Sequence, residues 1–82
     1  MFEIVFTKRS ISDLEKLDDE TRWRIAKKLK EYSQTPLHFA HKLTDPKLGT
    51  YRFRIGDYRV IFDLVGEKIV ILRIGNRKEI YR

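Results

Sequence analysis

The clearest pattern of apolar and polar positions lies in residues 50–81. There, β-branched and aromatic residues alternate with polar ones in runs separated by Gly56-Asp57 and Gly66-Glu67. A glycine-containing pair between two such runs is typical of a tight hairpin turn. The pattern therefore predicts two β-hairpins in series, in the first of which Ile55 faces Tyr58.

The first half of the chain predicts one strand followed by two helices. Residues Phe2–Phe6 alternate as a strand does, and Thr7 is suited to cap a helix that begins at Lys8. Asp18-Asp19 ends that helix and caps a second one, expected over Glu20–Ser33. The apolar positions predicted to face the core are Ile11, Leu14, Leu17, Ile25, Leu29 and Tyr32.

Residues 34–49 contain two prolines and a glycine, and we expect them to form a linker. Because the helices are joined by almost nothing, they should form an antiparallel hairpin. The predicted fold class is α+β: an N-terminal strand, a helical hairpin and a mainly antiparallel sheet of about four strands, with the helices on one face. A chain of 82 residues suffices for one small domain, residues 1–82.

Three arginines should share one face of the first hairpin. Since side chains alternate along a strand, Arg52, Arg54 and Arg59 lie opposite the apolar face. Arg54 and Arg59 face each other, and such a like-charged pair costs roughly 0.2–1 kcal/mol. A bound polyanion would relieve this repulsion. The alternative is an ordinary solvated face, partly neutralised by Asp63.

In the predicted second hairpin, basic and apolar residues occur on both faces. Strict alternation pairs Val60 with Arg73 and turns Arg77 toward the helices, unless Gly75-Asn76 breaks the register. It also places three apolar residues beside the arginines, which would suit a partner protein or stacked bases: Val70, Leu72 and Ile74.

Charge supports a polyanionic partner. The net charge is +6, with eight basic and seven acidic residues in 1–41 but ten basic and five acidic residues in 42–82. The positive potential therefore belongs to the hairpin half, and nucleic acid or an acidic protein is the expected partner. The sequence has no cysteine, no basic leader before its first apolar run and no membrane-length apolar stretch. We expect a cytoplasmic protein with no membrane association.

The two histidines, His38 and His41, are three residues apart. No cysteine or acidic cluster stands beside them, so we predict no metal site and no cofactor. We interpret them as surface loop residues; the alternative is that one of them reaches a substrate, because histidine titrates near neutrality.

Three motifs in this order resemble the RelE/ParE superfamily of type II toxin–antitoxin toxins. They are Tyr51-Arg52-Phe53-Arg54, then Gly56-Asp57-Tyr58-Arg59, and the ending from Gly75 to Tyr81. The resemblance spans nearly the whole chain. For the RelE branch it implies metal-independent cleavage of messenger RNA in the ribosomal A site, by attack of a ribose 2′-OH on the adjacent phosphate.

The resemblance also implies residue roles. Arg59 matches the clamp on the scissile phosphate, and Arg77 matches a position linked to phosphate binding and protonation of the leaving group. Tyr81 matches an aromatic residue that stacks on a base and whose hydroxyl can join proton transfer. The implied nucleic-acid-binding residues are Arg52, Arg54, Arg59, Arg77 and Lys78. The implied catalytic residues are Arg52, Arg54, Arg59, Arg77 and Tyr81.

Arg52 and Arg54 depart from the family, which often carries lysine there. An arginine side chain keeps its proton and is a poor base, so either Tyr81 or a histidine takes the 2′-OH proton, or the ribosome contributes, or the activity is low. Two other functions stay open: a ParE-type toxin that binds DNA gyrase, and a non-catalytic basic RNA-binding domain. The partners implied by the resemblance are an acidic antitoxin in a hetero-oligomer, the ribosome and messenger RNA.

Overall fold

A five-stranded sheet with helices on one face forms the protein, seen in a computed structural model that describes residues 2–45 and 47–80. The elements in chain order are β1 (Glu3–Phe6), α1 (Lys8–Glu15), α2 (Asp19–Tyr32), α3 (Pro36–Phe39), β2 (His41–Lys42), β3 (Tyr51–Ile55), β4 (Tyr58–Val65) and β5 (Lys68–Asn76). The strand order is β1-β5-β4-β3-β2, parallel between β1 and β5 and antiparallel elsewhere.

The α+β prediction is confirmed, with one more strand than expected. The additional strand is β2, which lies within the predicted linker and pairs with β3. The same linker also contains the one-turn helix α3, where Phe39 stacks on Tyr32 at 4.2 Å between ring centroids. Neither element is long enough to show a periodic pattern, so the sequence did not reveal them.

The helix starts follow the predicted caps. The Thr7 side chain accepts a hydrogen bond from the Ser10 backbone, and the Asp18 side chain accepts one from the Thr21 backbone. Leu14 of α1 and Leu17, which follows that helix, pack against the core as expected. Ile11 does not: it is 47% exposed, so its place in the predicted apolar stripe is wrong.

The core lies between the helices and one face of the sheet. It joins residues of α2 to alternate residues of the three long strands, with Val60, Phe62, Ile69 and Ile71 fully buried. Burial of these large side chains is the main stabilising term of a domain this small.

The opposite face of the sheet is partly covered by the segment 43–50. Gly49 is buried there, with Ile61 and Leu72 beneath it, and Asp63 accepts hydrogen bonds of 2.8 Å from the Thr50 amide and hydroxyl. The Asp63 carboxylate, considered above as a partial neutraliser of the arginines, therefore fastens this segment to the sheet.

The second hairpin departs from strict alternation at Leu72. The register shifts between the pairs Phe62–Ile71 and Ile61–Arg73, so Val60 faces Ile74 and not Arg73 as predicted. This β-bulge turns Ile74 into the core, where it is 2% exposed. The predicted apolar surface of three residues beside the arginines is accordingly reduced to Val70 and Leu72, both half-buried.

A candidate nucleic-acid interface

The first hairpin has the predicted register and brings three arginines to one face. Gly56 opens its turn with a φ of +60°, a conformation that glycine adopts without strain. Arg54 is paired with Arg59, and Arg52 with Ile61. The three side chains therefore lie on the face away from the helices, which we call the arginine face.

Arg59 is the most constrained member of the arginine face. It is only 5% exposed, and its Nη1 donates to the carbonyl oxygens of Gly56 at 3.0 Å and Tyr58 at 2.9 Å. These bonds anchor the guanidinium at the hairpin turn. The alternative of a solvated side chain therefore does not describe Arg59, whereas Arg54 is exposed.

Arg77 reaches the same turn through the backbone. Its amide donates to the carbonyl of Asp57 at 2.9 Å, and the preceding Asn76 is paired with Tyr58. The predicted break of alternation exists, but it lies at Leu72 and not at Gly75-Asn76. Within the described residues, neither Arg77 nor Arg54 forms an ion pair.

The chain folds back after β5 in a short turn centred on Asn76. The Asn76 carbonyl accepts from the amides of Glu79 and Ile80, and its side chain accepts from the amide of the exposed Lys78. Ile80 is 3% exposed and packs over Gly75, where an added Cβ would lie 3.6 Å from it. Tyr81 lies outside the described residues, so its predicted role stays a prediction.

The two histidines occupy different environments. His41 of β2 is paired with Arg52, which places it at the margin of the arginine face. His38 of α3 instead meets the edge of the Phe39 ring at 4.9 Å. Both side chains are exposed, and the described part of the chain contains no group of residues suited to hold a metal ion.

Asp13 holds the end of β5 and was missed in the sequence. Its Oδ2 accepts from Arg73 Nε and from the Ile74 amide, both at 2.9 Å, just beyond the stretch of β5 that pairs with β1. A signal was present: Ser10, Asp13, Leu14 and Leu17 share one helical face, so two polar residues accompany the apolar stripe. Both are buried, and Asp13 thereby stabilises the strand that leads to Arg77.

This arrangement can bind and stabilise negative charge. An anion over the β3–β4 turn would meet guanidinium groups from two strands, and the anchored Arg59 would lose little conformational freedom on binding. Planar guanidinium groups form paired hydrogen bonds with phosphate oxygens. The described part of the chain has no helix that is both long and apolar enough to cross a membrane.

Comparison with known proteins identifies the family. The model of the ParE toxin of the type II toxin–antitoxin system, parDE, matches residues 4–81. The chain belongs to the RelE/ParE toxin superfamily. This toxin is also 30% identical over 81 residues to the mRNA interferase toxin RelE of Escherichia coli, covering 93% of this chain and 85% of that protein.

Solved structures agree with this assignment. The toxin superposes with a TM-score of 0.83 on the toxin–antitoxin complex RelBE2 from Mycobacterium tuberculosis, at 26% identity over 93% of this chain and 98% of that one. For the archaeal RelE–RelB complex from Pyrococcus horikoshii the TM-score is 0.75, at 25% identity over 95% and 97% of the two chains.

Proposed function

We propose that this toxin is a ribosome-dependent endoribonuclease that cleaves messenger RNA in the A site without a metal ion. The observation that carries the proposal is the pairing of Arg54 with Arg59 on a face that is not used by the core, with Arg77 tied to the same turn. The 30% identity to a protein named as an mRNA interferase supports the same branch.

The proposed reaction is a transesterification. The 2′-oxygen forms a bond to the adjacent phosphorus, the bond from phosphorus to the 5′-oxygen breaks, and a 2′,3′-cyclic phosphate and a 5′-hydroxyl result. One group must remove the 2′ proton and another must protonate the 5′-oxygen. Cations around the phosphorus stabilise the charge that develops in the transition state.

The residues divide these tasks by position and chemistry. Arg59, anchored at the turn, is suited to clamp the scissile phosphate, with Arg52 and Arg54 adding positive charge along β3. Arg77 and Lys78 approach from the end of β5. By resemblance to the family, Arg77 assists the leaving group, and Tyr81 stacks on a base, which is worth roughly 1–3 kcal/mol.

We further propose that an acidic antitoxin covers this single-domain toxin in the cytoplasm. The similar structures from M. tuberculosis and P. horikoshii are toxin–antitoxin complexes. An acidic segment would neutralise the arginine face, whose charge agrees with the excess of basic residues in the second half of the chain. Co-expression with the product of the adjacent open reading frame would test this, because a stable complex should form that blocks the toxin.

Translation with purified ribosomes tests the nuclease directly. Added toxin should produce cuts inside the A-site codon, mapped by primer extension. Message alone should stay intact under the same conditions. The competing function, binding to DNA gyrase as a ParE-type toxin, predicts an uncut message together with inhibited supercoiling in a gyrase assay. That pair of results would overturn the proposal.

A further inference from the structure

We infer that His41 is the general base that removes the 2′-OH proton, an inference that rests on the proposed nuclease function. The arginine face lacks such a group among its arginines, since guanidinium groups stay protonated at neutral pH. Imidazole is the side chain that exchanges a proton most readily near neutrality.

The register of β2 places His41 on the arginine face. His41 is paired with Arg52 and Lys42 with Tyr51, and the Leu43 amide continues the ladder by donating to the Thr50 carbonyl at 2.9 Å. Residues directly opposite in an antiparallel pair point to the same side, with Cβ atoms about 5 Å apart. His41 therefore stands beside Arg52 and diagonally from Arg54.

The surroundings of His41 suit a base. It is exposed, so a ribose can reach it, and β2 lies at the edge of the sheet. The charged groups that face it from β3 are the cations Arg52 and Arg54. Asp63, the acid on this face of β4, is instead hydrogen-bonded to Thr50. Arg52 and Arg54 of β3 lie between His41 of β2 and Arg59 of β4, which is suited to clamp the scissile phosphate. A ribose attached to that phosphate would lie over β3, on the side of Arg59 that faces His41.

The proton balance is complete with groups that the chain or solvent provides. The unprotonated ring nitrogen of His41 takes the 2′-OH proton as the bond from the 2′-oxygen to phosphorus forms. The bond to the 5′-oxygen breaks, and that oxygen receives a proton from a water molecule. The imidazolium then gives its proton to the hydroxide that remains, which restores both the water and the base.

His38 provides a matched control, because the sequence has only these two histidines. We would compare His41→Gln with His38→Gln in single-turnover cleavage of ribosome-bound message. Loss of a general base should lower the cleavage rate on the order of 100-fold or more, with the half-saturating ribosome concentration unchanged. His38→Gln should cleave at the wild-type rate.

One further measurement separates a base from a structural residue. Added imidazole should restore part of the activity of His41→Ala but not alter His38→Ala. Unchanged cleavage by His41→Gln in an active preparation would overturn the role of His41 and leave the nuclease standing. A wild-type protein that cuts no message would overturn both.

Discussion

Arg54 and Arg59 are directly opposed in the β3–β4 hairpin, yet the structure holds them in different ways. Arg54 is exposed and has no ion-pair partner among the described residues, while Arg59 is almost fully buried and donates to two carbonyls of its own turn. One arginine is thus anchored at the turn, and the other is exposed at the surface.

This difference predicts opposite effects on stability. Arg59→Ala should lower the free energy of unfolding by about 1–3 kcal/mol, because two turn carbonyls lose a charged donor. Arg54→Ala should change it by no more than about 0.5 kcal/mol, with a small gain from relieved repulsion. Urea denaturation of both variants measures this, and equal losses would contradict the anchoring of Arg59.

Asp13 should control the order of the chain leading to Arg77. Asp13→Ala removes the acceptor for the Ile74 amide and for Arg73, which should cost about 2–3 kcal/mol. Hydrogen exchange of the Ile74 and Arg77 amides should speed up together. In Asp13→Asn, which keeps an acceptor oxygen, these two amides should exchange more slowly than in Asp13→Ala.

Glu15→Ala is the control for Asp13, since Glu15 lies on the same helix and is exposed. It should leave both amides protected. If the Arg77 amide remains protected in Asp13→Ala, the end of β5 is held by other contacts.

Gly49 and Gly75 should respond differently to alanine. Gly49 has a φ of +147°, and an added Cβ would lie 2.6 Å from Ile61 Cγ2, so Gly49→Ala should cost at least about 2 kcal/mol. At Gly75 the nearest atom would be 3.6 Å away, an ordinary contact, and the change should stay within about 1 kcal/mol. Thermal unfolding of the two variants checks the order, and a harmless Gly49→Ala would contradict the close approach of segment 43–50 to the sheet.

Asp18 should titrate below its ordinary value. The hydrogen bond from the Thr21 side chain, followed by the bond from the Thr21 backbone, lowers the pKa of Asp18 below 3.8. A carboxylate whose pKa is lower in the folded state stabilises the fold at pH values above its unfolded-state pKa. This contribution disappears as the pH falls through the lowered, folded-state pKa. NMR titration should find that lowered pKa, and Thr21→Val should raise it; an unchanged value would exclude the side-chain bond.

The tight turns explain why so much of the hairpin geometry was predictable. Gly56-Asp57 and Gly66-Glu67 fix where each hairpin begins, and alternation then assigns every residue of β3 and the first pairs of β5. The bulge at Leu72 carries no glycine or proline that would mark it. The sequence offered Gly75-Asn76 as a place where alternation could break, because those residues tolerate unusual backbone geometry.

The burial of polar groups was the least predictable feature. A carboxylate such as Asp13 is usually exposed, so its burial depends on partners sixty or more residues away, Arg73 and Ile74. The position of His41 likewise depends on a two-residue strand that has no periodicity of its own. Both features arise from pairing between distant segments, which local patterns do not encode.

The most direct test of the account compares two ways of removing the same charge. In one variant Arg52 and Arg54 become alanine, and in the other Arg24 and Lys30, two exposed cations of α2, become alanine. Single-turnover cleavage of ribosome-bound message should fall on the order of 100-fold for the first variant and stay close to wild type for the second. Equal losses would mean that overall charge matters and the arginine face does not, and a message left uncut by the wild type would contradict the nuclease itself.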